Sequence, residues 1–251
     1  MARRKGKLIV LEGITRSGKS TQAKLVVMSI ADLGYRVFRD AEPTNGPFGK
    51  VIRAVIEKRP KDAPCPEATI AAFALFANNT EIRERIVSVL RAIWQGETVS
   101  DLSMQLIFMA DRAWHCVHVM APRLNSGENV VLDRYMASTL AFGLGRGVGF
   151  GELVSWHHRI LGGNFIIPEL TVFVEIPSEV AVERMAKDGK VNDIFETEEG
   201  IKNTIKAYER ALRFGYDSGR FGNIVYVDGN QSIPAVTEDV LREIRKVLDK
   251  K

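Results

Sequence analysis

Eight residues near the start of the chain, Gly13-Ile14-Thr15-Arg16-Ser17-Gly18-Lys19-Ser20, constrain its fold more than any other stretch. They have the spacing G-x-x-x-x-G-K-[ST], the phosphate-binding P-loop, which sits between a strand and a helix. Both neighbours are present. Lys7-Leu8-Ile9-Val10-Leu11 reads as a strand buried on both faces. Ser20–Met28 reads as a helix, with Leu25, Met28 and Ala31–Asp32 near one stripe. The loop's chemistry follows from its residue types. Its glycines let successive backbone N–H groups curl around a phosphate. Lys19 can reach the terminal phosphates, and the Ser20 hydroxyl can bind Mg²⁺. ATP with Mg²⁺ is therefore the expected ligand, with Gly13, Ser17, Gly18, Ser20 and Thr21 around it.

Beyond the loop, apolar strand-like runs alternate with helical patterns. The strands are read at Leu8–Leu11, Tyr35–Arg39, Asn129–Asp133, Leu170–Ile176 and Ile224–Val227. Gly34 reads as the residue that ends the first helix. Phe48–Lys58 carries Val51, Ile52, Val55 and Ile56 at helical spacing, and residues 66–95 read as helical with a break at Asn78-Asn79. A long helix is expected from Asp101 to Val119, ahead of Pro122. Further helices are read at 135–142, 152–161, 178–187, 197–214 and 235–249. Such alternation predicts an α/β fold: five parallel strands with helices on both faces. Ligands of such sheets bind at the carboxyl ends of the strands, where the P-loop, Glu42-Pro43 and Asp133-Arg134 all fall. No repeat or linker is evident, so a single domain over 1–251 is expected.

Composition narrows the function classes. The 251 residues carry a net charge of +4, too mild to argue for nucleic acid but suited to anionic substrates. No apolar run approaches the ~18 residues of a membrane span. Cys65 and Cys116, without a CxxC pair, argue against a disulfide framework or zinc site and fit a reducing, cytoplasmic setting. His157-His158 lacks metal-ligand spacing and reads as surface or interface.

Five short segments in order narrow the reaction. They are Leu11-Glu12-Gly13 with Gly18–Gln22, Glu42-Pro43-Thr44, Phe108–Ala113 with His115, Asp133-Arg134-Tyr135 with Ser138, and Pro168–Thr171. Together they resemble the thymidylate kinase family over most of the chain, excepting about 58–104. The resemblance implies a nucleoside-monophosphate-kinase fold, Mg²⁺-ATP as donor, dTMP as acceptor and a homodimer. It also implies roles. Arg16 would act as an arginine finger within the loop, and Asp133 and Arg134 would serve Mg²⁺ and phosphate. Phe108 would stack on the base, Arg112 would hydrogen-bond it, and Phe142 would crowd the sugar C2′. A lid at about 184–196 would bring Lys187 and Lys190 over the donor phosphates. Blander readings stay open from the residues alone: a solvated loop cation for Arg16, an ion pair for Asp133-Arg134, plain core for Phe108 and Phe142, a charged turn for the two lysines.

The chain departs from the family pattern on the acceptor side. Thr15 stands where an Asp is usual. Ala41 precedes Glu42 where an Arg is common, with Arg53 a possible substitute. Gly143 follows Phe142 where Gln is common, and the glycines from Gly143 to Gly149 read as a flexible loop. Extra, partly apolar helical residues fall within 58–104. The remaining alternatives are a kinase for another deoxynucleotide or nucleoside, and a nucleotide-binding protein without catalysis.

Overall fold

The computed structural model describes residues 5–58, 64, 65, 69, 71, 80–188 and 198–249. Its centre is a five-stranded, all-parallel sheet in the order β2-β3-β1-β4-β5. The strands are β1 (Leu8–Glu12), β2 (Val37–Ala41), β3 (Asn129–Asp133), β4 (Leu170–Glu175) and β5 (Asn223–Asp228). All five residues of β1 and of β3 are buried, as central strands covered on both faces must be. β2 starts two residues later than the sequence suggests. Tyr35 still bonds back to the Ile30 carbonyl, and pairing begins only at Val37 opposite Asn129. That shift sets Ala41 opposite Asp133, and Asp133 opposite Leu11. Glu42 and Arg134 each extend the ladder by one bond. The carboxyl ends of β1, β2 and β3 therefore finish level.

Alternation along the strands makes two cores. Leu8 and Val10 of β1 with Val130 and Leu132 of β3 face one side. Packed there are α2 (Pro47–Ile56), α3 (Thr80–Trp94), α4 (Asp101–His115), α6 (Met136–Gly145), α7 (Phe150–Leu161) and α9 (Glu198–Ser218), with α5 (Ala121–Asn125) continuing the line of α4. Ile9, Leu11 and Val131 face the other side, against α1 (Lys19–Asp32) and α10 (Ile233–Leu248). The helix α8 (Ser178–Asp188) follows β4.

Three local readings change. The buried stripe of α1 is Ala23, Val26 and Ile30, while Met28 is 55% exposed. The sheet lies against the i, i+3, i+7 row that starts at Ala23, one row round from the expected one. The long helix passes Val119: a π-helical turn spans Cys116–Met120, and the Ala121 N–H bonds the Cys116 carbonyl, so the wide turn leads into Pro122 near the start of α5. Pro122 has no N–H to offer the turn before it and is tolerated there. Gly143 and Gly145 lie within α6, not in a flexible loop. A Cβ on Gly143 would fall 2.7 Å from a Leu153 methyl group, so bare backbone lets α7 approach closely. Gly34 does close α1, at φ 85.

Candidate functional site

The P-loop joins β1 to α1 and leaves the sheet through Gly13. At φ 148, Gly13 carries its carbonyl past β4, and a Cβ there would lie 2.5 Å from the Val174 oxygen. Lys19 opens the helix and is only 4% exposed. Its ammonium donates to the Ile14 carbonyl at 2.6 Å and to Ser17 Oγ at 3.0 Å. Burial, then the neighbouring Arg134 charge, push it down to about 7. This is a cation short of negative charge, poised for an anion. Beside it, Ser20 Oγ donates to Asp133 Oδ2 at 2.5 Å, while Asp133 Oδ1 is buried with no hydrogen-bond partner. An orphaned carboxylate oxygen next to a hydroxyl is a hard-oxygen pair of the kind Mg²⁺ prefers alongside phosphate and water. The cavity above has a volume of about 830 Å³ and is walled by the P-loop, Arg184, Lys187, Gln231 and Ile233. Arg184 ties its two sides together, donating to the Arg16 carbonyl at 3.1 Å and the Gly229 carbonyl at 3.0 Å.

A smaller cavity of about 150 Å³ lies on the α4–α6 side. Phe108, Phe142, Ile56 and Pro43 give it apolar walls, and Arg112, Gln105, Ser138 and Thr139 give it polar ones. Thr15 and Arg134 line both cavities. Arg134 sits at φ 72, just past β3, with its guanidinium 5.0 Å from the Phe142 ring centre. One of its nitrogens donates to the Gly13 carbonyl, Ser138 Oγ and the Tyr208 hydroxyl at 3.2, 3.2 and 3.3 Å. Beneath it, the buried Glu12 carboxylate accepts from the Tyr135 and Ser138 amides, the Ser138 hydroxyl and the Tyr208 hydroxyl. Glu12 thereby caps the first turn of α6 and locks the Asp133-Arg134 corner against the P-loop.

Behind the small cavity runs a buried chain of charges. Arg112, 1% exposed, grips Glu42 Oε2 through Nε (2.9 Å) and Nη2 (2.6 Å), and donates from Nη1 to Thr139 at 3.0 Å. Its guanidinium lies 5.0 Å from the Tyr135 ring centre. Glu42 Oε1 meets His115 Nδ1 at 3.1 Å, and His115 Nε2 meets Asp40 at 3.2 Å. Burial alone would hold His115 neutral, but bonds to Asp40 and Glu42 outweigh it and raise the imidazole to about 9. Asp111 is pushed up to about 6 by burial and then by Glu42, while Thr44 braces it through its amide (2.7 Å) and hydroxyl (2.6 Å).

The site residues expected from sequence fall into groups. Thr15, Arg16, Ser17, Gly18, Lys19, Ser20, Thr21, Asp133, Arg134 and Lys187 line the larger cavity, while Gly13 lies at the start of the loop and is not part of its wall. Thr15, Glu42, Phe108, Arg112, Arg134 and Phe142 gather at the smaller. Lys190 and most of the expected lid lie outside the described residues, as does much of 58–79. Glu42 lines the cavity wall, yet both its oxygens are engaged by Arg112 and His115. Arg53 does not reach the cavity: it clamps the carbonyls of Pro43 and Thr44 and the Asn45 side chain. His157 is not a surface residue. It is 1% exposed, stands edge-on to Phe165, and is held neutral by burial and then by Arg112 and Arg220. The apolar stripe of α7 points it inward, whereas His158 beside it is exposed.

Sequence reasoning passed over Glu12, Gln105, Thr139, Ser138 and Tyr208 as site residues. Tyr208 gives no local signal, since it arrives from α9, about 70 residues further along the chain and packed beside α6. Gln105 gives one: it precedes Phe108 and Arg112 at i, i+3, i+7. It is 1% exposed, and its Oε1 is buried without a partner. Leaving a buried amide group unpaired costs about 1–3 kcal/mol.

A family model described as thymidylate kinase matches residues 11–86 and 65–240. Similar curated proteins carry related names. A probable thymidylate kinase of Pyrococcus horikoshii is 26% identical over 246 residues, 97% of this chain and 98% of that one. A probable thymidylate kinase of Thermococcus gammatolerans is 32% identical over 180 residues, 72% of this chain and 70% of the other. A thymidylate kinase of Nostoc punctiforme is 28% identical over 246 residues, 96% of each chain.

Proposed function

The chain belongs to the thymidylate kinase family, and from that premise we propose that it transfers the γ-phosphoryl group of ATP to dTMP, giving dTDP and ADP. One observation carries the reading: two cavities of unlike chemistry meet at Thr15 and Arg134, at the tip of a P-loop. The larger suits a triphosphate and the smaller a flat base. Phosphoryl transfer needs little beyond neutralised charge and in-line placement, and this geometry can supply both.

On the donor side, the loop amides and Lys19 hold the phosphates, and Arg16 meets charge developing on the transferred group. Ser20 and Asp133 would hold Mg²⁺, which would neutralise charge on the donor phosphates. At the junction Arg134 orients the acceptor phosphate. On the acceptor side, Phe108 stacks on the base, Arg112 donates to a ring carbonyl, and Phe142 closes the space at the sugar C2′. Glu42 acts through Arg112 by fixing its direction. The family resemblance supports a homodimer, which sedimentation equilibrium measures. Among the described residues, no helix is long and apolar enough to cross a membrane.

The test is kcat/KM for dTMP, dUMP, dCMP, UMP and thymidine with Mg²⁺-ATP under one set of conditions. We expect dTMP to lead. Cytosine presents an amino group where Arg112 needs an acceptor, and a mismatched buried donor pair costs about 1–3 kcal/mol, or ten- to a hundredfold. If dCMP or thymidine outruns dTMP, this is a kinase for another acceptor. If none reacts, nucleotide binding without catalysis is the better account.

A further inference from the structure

We infer that Gln105 reads the ring N–H of the acceptor base, supplying the hydrogen-bond acceptor that completes the donor provided by Arg112. The inference rests on the dTMP reading and adds a residue to it. Gln105, Phe108 and Arg112 occupy one row of α4, so the row offers an amide, a flat ring and a guanidinium to one cavity. A 2,4-dioxopyrimidine shows an alternating edge: carbonyl, N–H, carbonyl. Arg112 can only donate and therefore suits a carbonyl. The N–H beside it needs an acceptor.

The other oxygens of the wall are committed. Both Glu42 oxygens hold Arg112 and His115. Ser138 Oγ is shared among Glu12, Tyr208 and Arg134. Thr139 Oγ1 receives Arg112. Among the described residues lining this cavity, the buried acceptor left without a partner is Gln105 Oε1. A half-turn about the last bond of a glutamine exchanges its oxygen and nitrogen, so either end of the amide can face the cavity. Gly143 makes room for this side chain: a Cβ at 143 would fall 3.3 Å from Gln105 Cγ. A buried amide oxygen with no partner is what a ligand-binding group looks like before its ligand arrives.

The assignment predicts a split that plain packing does not. Gln105→Met and Gln105→Leu remove an unpaired polar group, so the melting temperature should hold or rise. The KM for dTMP should rise about tenfold with kcat changed less than about twofold. The decisive probe is N3-methyl-dTMP, which has no ring N–H but keeps both carbonyls, so that Arg112 still finds its acceptor. Wild type should prefer dTMP about tenfold or more in kcat/KM, and Gln105→Ala, which removes the acceptor and leaves room for the methyl group, should bring that ratio close to one by losing activity on dTMP as well as gaining it on the analogue. If Gln105→Ala keeps the wild-type ratio, or if wild type does not distinguish the two nucleotides, Gln105 does not read the N–H, and the dTMP reading stands without it. If wild type fails to phosphorylate dTMP at all, the dTMP reading falls and this assignment with it.

Discussion

The two cavities are built on opposite electrostatic plans. On the donor side the key charges are under-compensated. Lys19 is buried and pushed down to about 7, and Asp133 keeps one buried oxygen without a partner. On the acceptor side the charges are saturated before any ligand arrives. Arg112, Glu42, His115 and Asp40 bond one another in sequence, and His115 is raised to about 9. The difference follows from what each side must do. A triphosphate with its metal brings charges of its own, and a site already satisfied would have no reason to take them. A neutral base brings only donors and acceptors, so its reader must be held rigid by groups that never touch it. Breaking a charge should therefore have different consequences on the two sides.

The largest effect is expected on the saturated side. Glu42→Ala strands Arg112 as a buried cation and leaves His115 only Asp40, and breaking one partner of a buried pair costs about 3–5 kcal/mol. Urea unfolding should show that loss, while the ATP dissociation constant of whatever remains folded changes little. An equal loss in ATP affinity would show that the two sides are not independent. Lys19→Ala should show the reverse. It removes a group working on phosphate charge, so kcat should drop on the order of 10²-fold or more, while the melting temperature at neutral pH holds or rises because a buried ammonium is gone. Near-wild-type turnover would remove the P-loop assignment and the comparison with it.

The opposed plans also predict opposed pH dependences. His115 is raised from 6.5 to about 9, so its contribution to stability is complete below pH 6.5 and is lost as pH climbs to 9. That amounts to on the order of 3 kcal/mol. Lys19 runs the other way: lowered from 10.5 to about 7, it penalises the fold below pH 7 and releases the penalty as pH climbs to 10.5. Wild type alone would blur the two, so the readout is the difference between wild type and His115→Asn. That difference should shrink from pH 6.5 to 9. A flat difference would mean that His115 is not held protonated between the two carboxylates.

Much of this was legible in the sequence, but unevenly, and along the same divide. The donor side lies in one contiguous motif, so spacing alone located Gly13 to Thr21, and the apolar strands on either side set the sheet. The acceptor side is assembled from β2, α4 and α6. Sequence could name Phe108, Arg112 and Glu42 through their resemblance to a family. It could not show that Glu42 spends both oxygens on Arg112 and His115, since that depends on β2 ending at Ala41 opposite Asp133. Boundaries failed where tertiary contacts overrode local signals. Pro122 reads as a stop, yet a π-helical turn carries the chain through it. Gly143 reads as a flexible joint, yet it is helical, and glycine stands there because Leu153 leaves no room for a side chain. His157 was misplaced because a histidine pair looks polar, while the α7 stripe turns one of the two inward.

The smallest expected effect probes the outer limit of the donor side. Lys187 lines the larger cavity, but its side chain is 71% exposed and pairs with Glu183 one turn earlier at 2.6 Å. Exposed pairs of this kind contribute little to stability, and solvent screens the lysine's reach toward a phosphate. Lys187→Ala should therefore leave stability unchanged and raise the KM for ATP no more than about two- to threefold. The increase should shrink further as salt rises, because the screening length falls to about 8 Å at 0.15 M and about 3 Å at 1 M. Lys19→Ala should keep its full effect at both salt concentrations, since Lys19 is buried and screened little. The measurement is KM for ATP in both variants from 0.05 to 0.5 M salt. A salt-insensitive loss of tenfold or more at Lys187 would show that α8 closes over the donor and buries this lysine during turnover. The under-compensated region would then extend from the P-loop into the segment that follows β4.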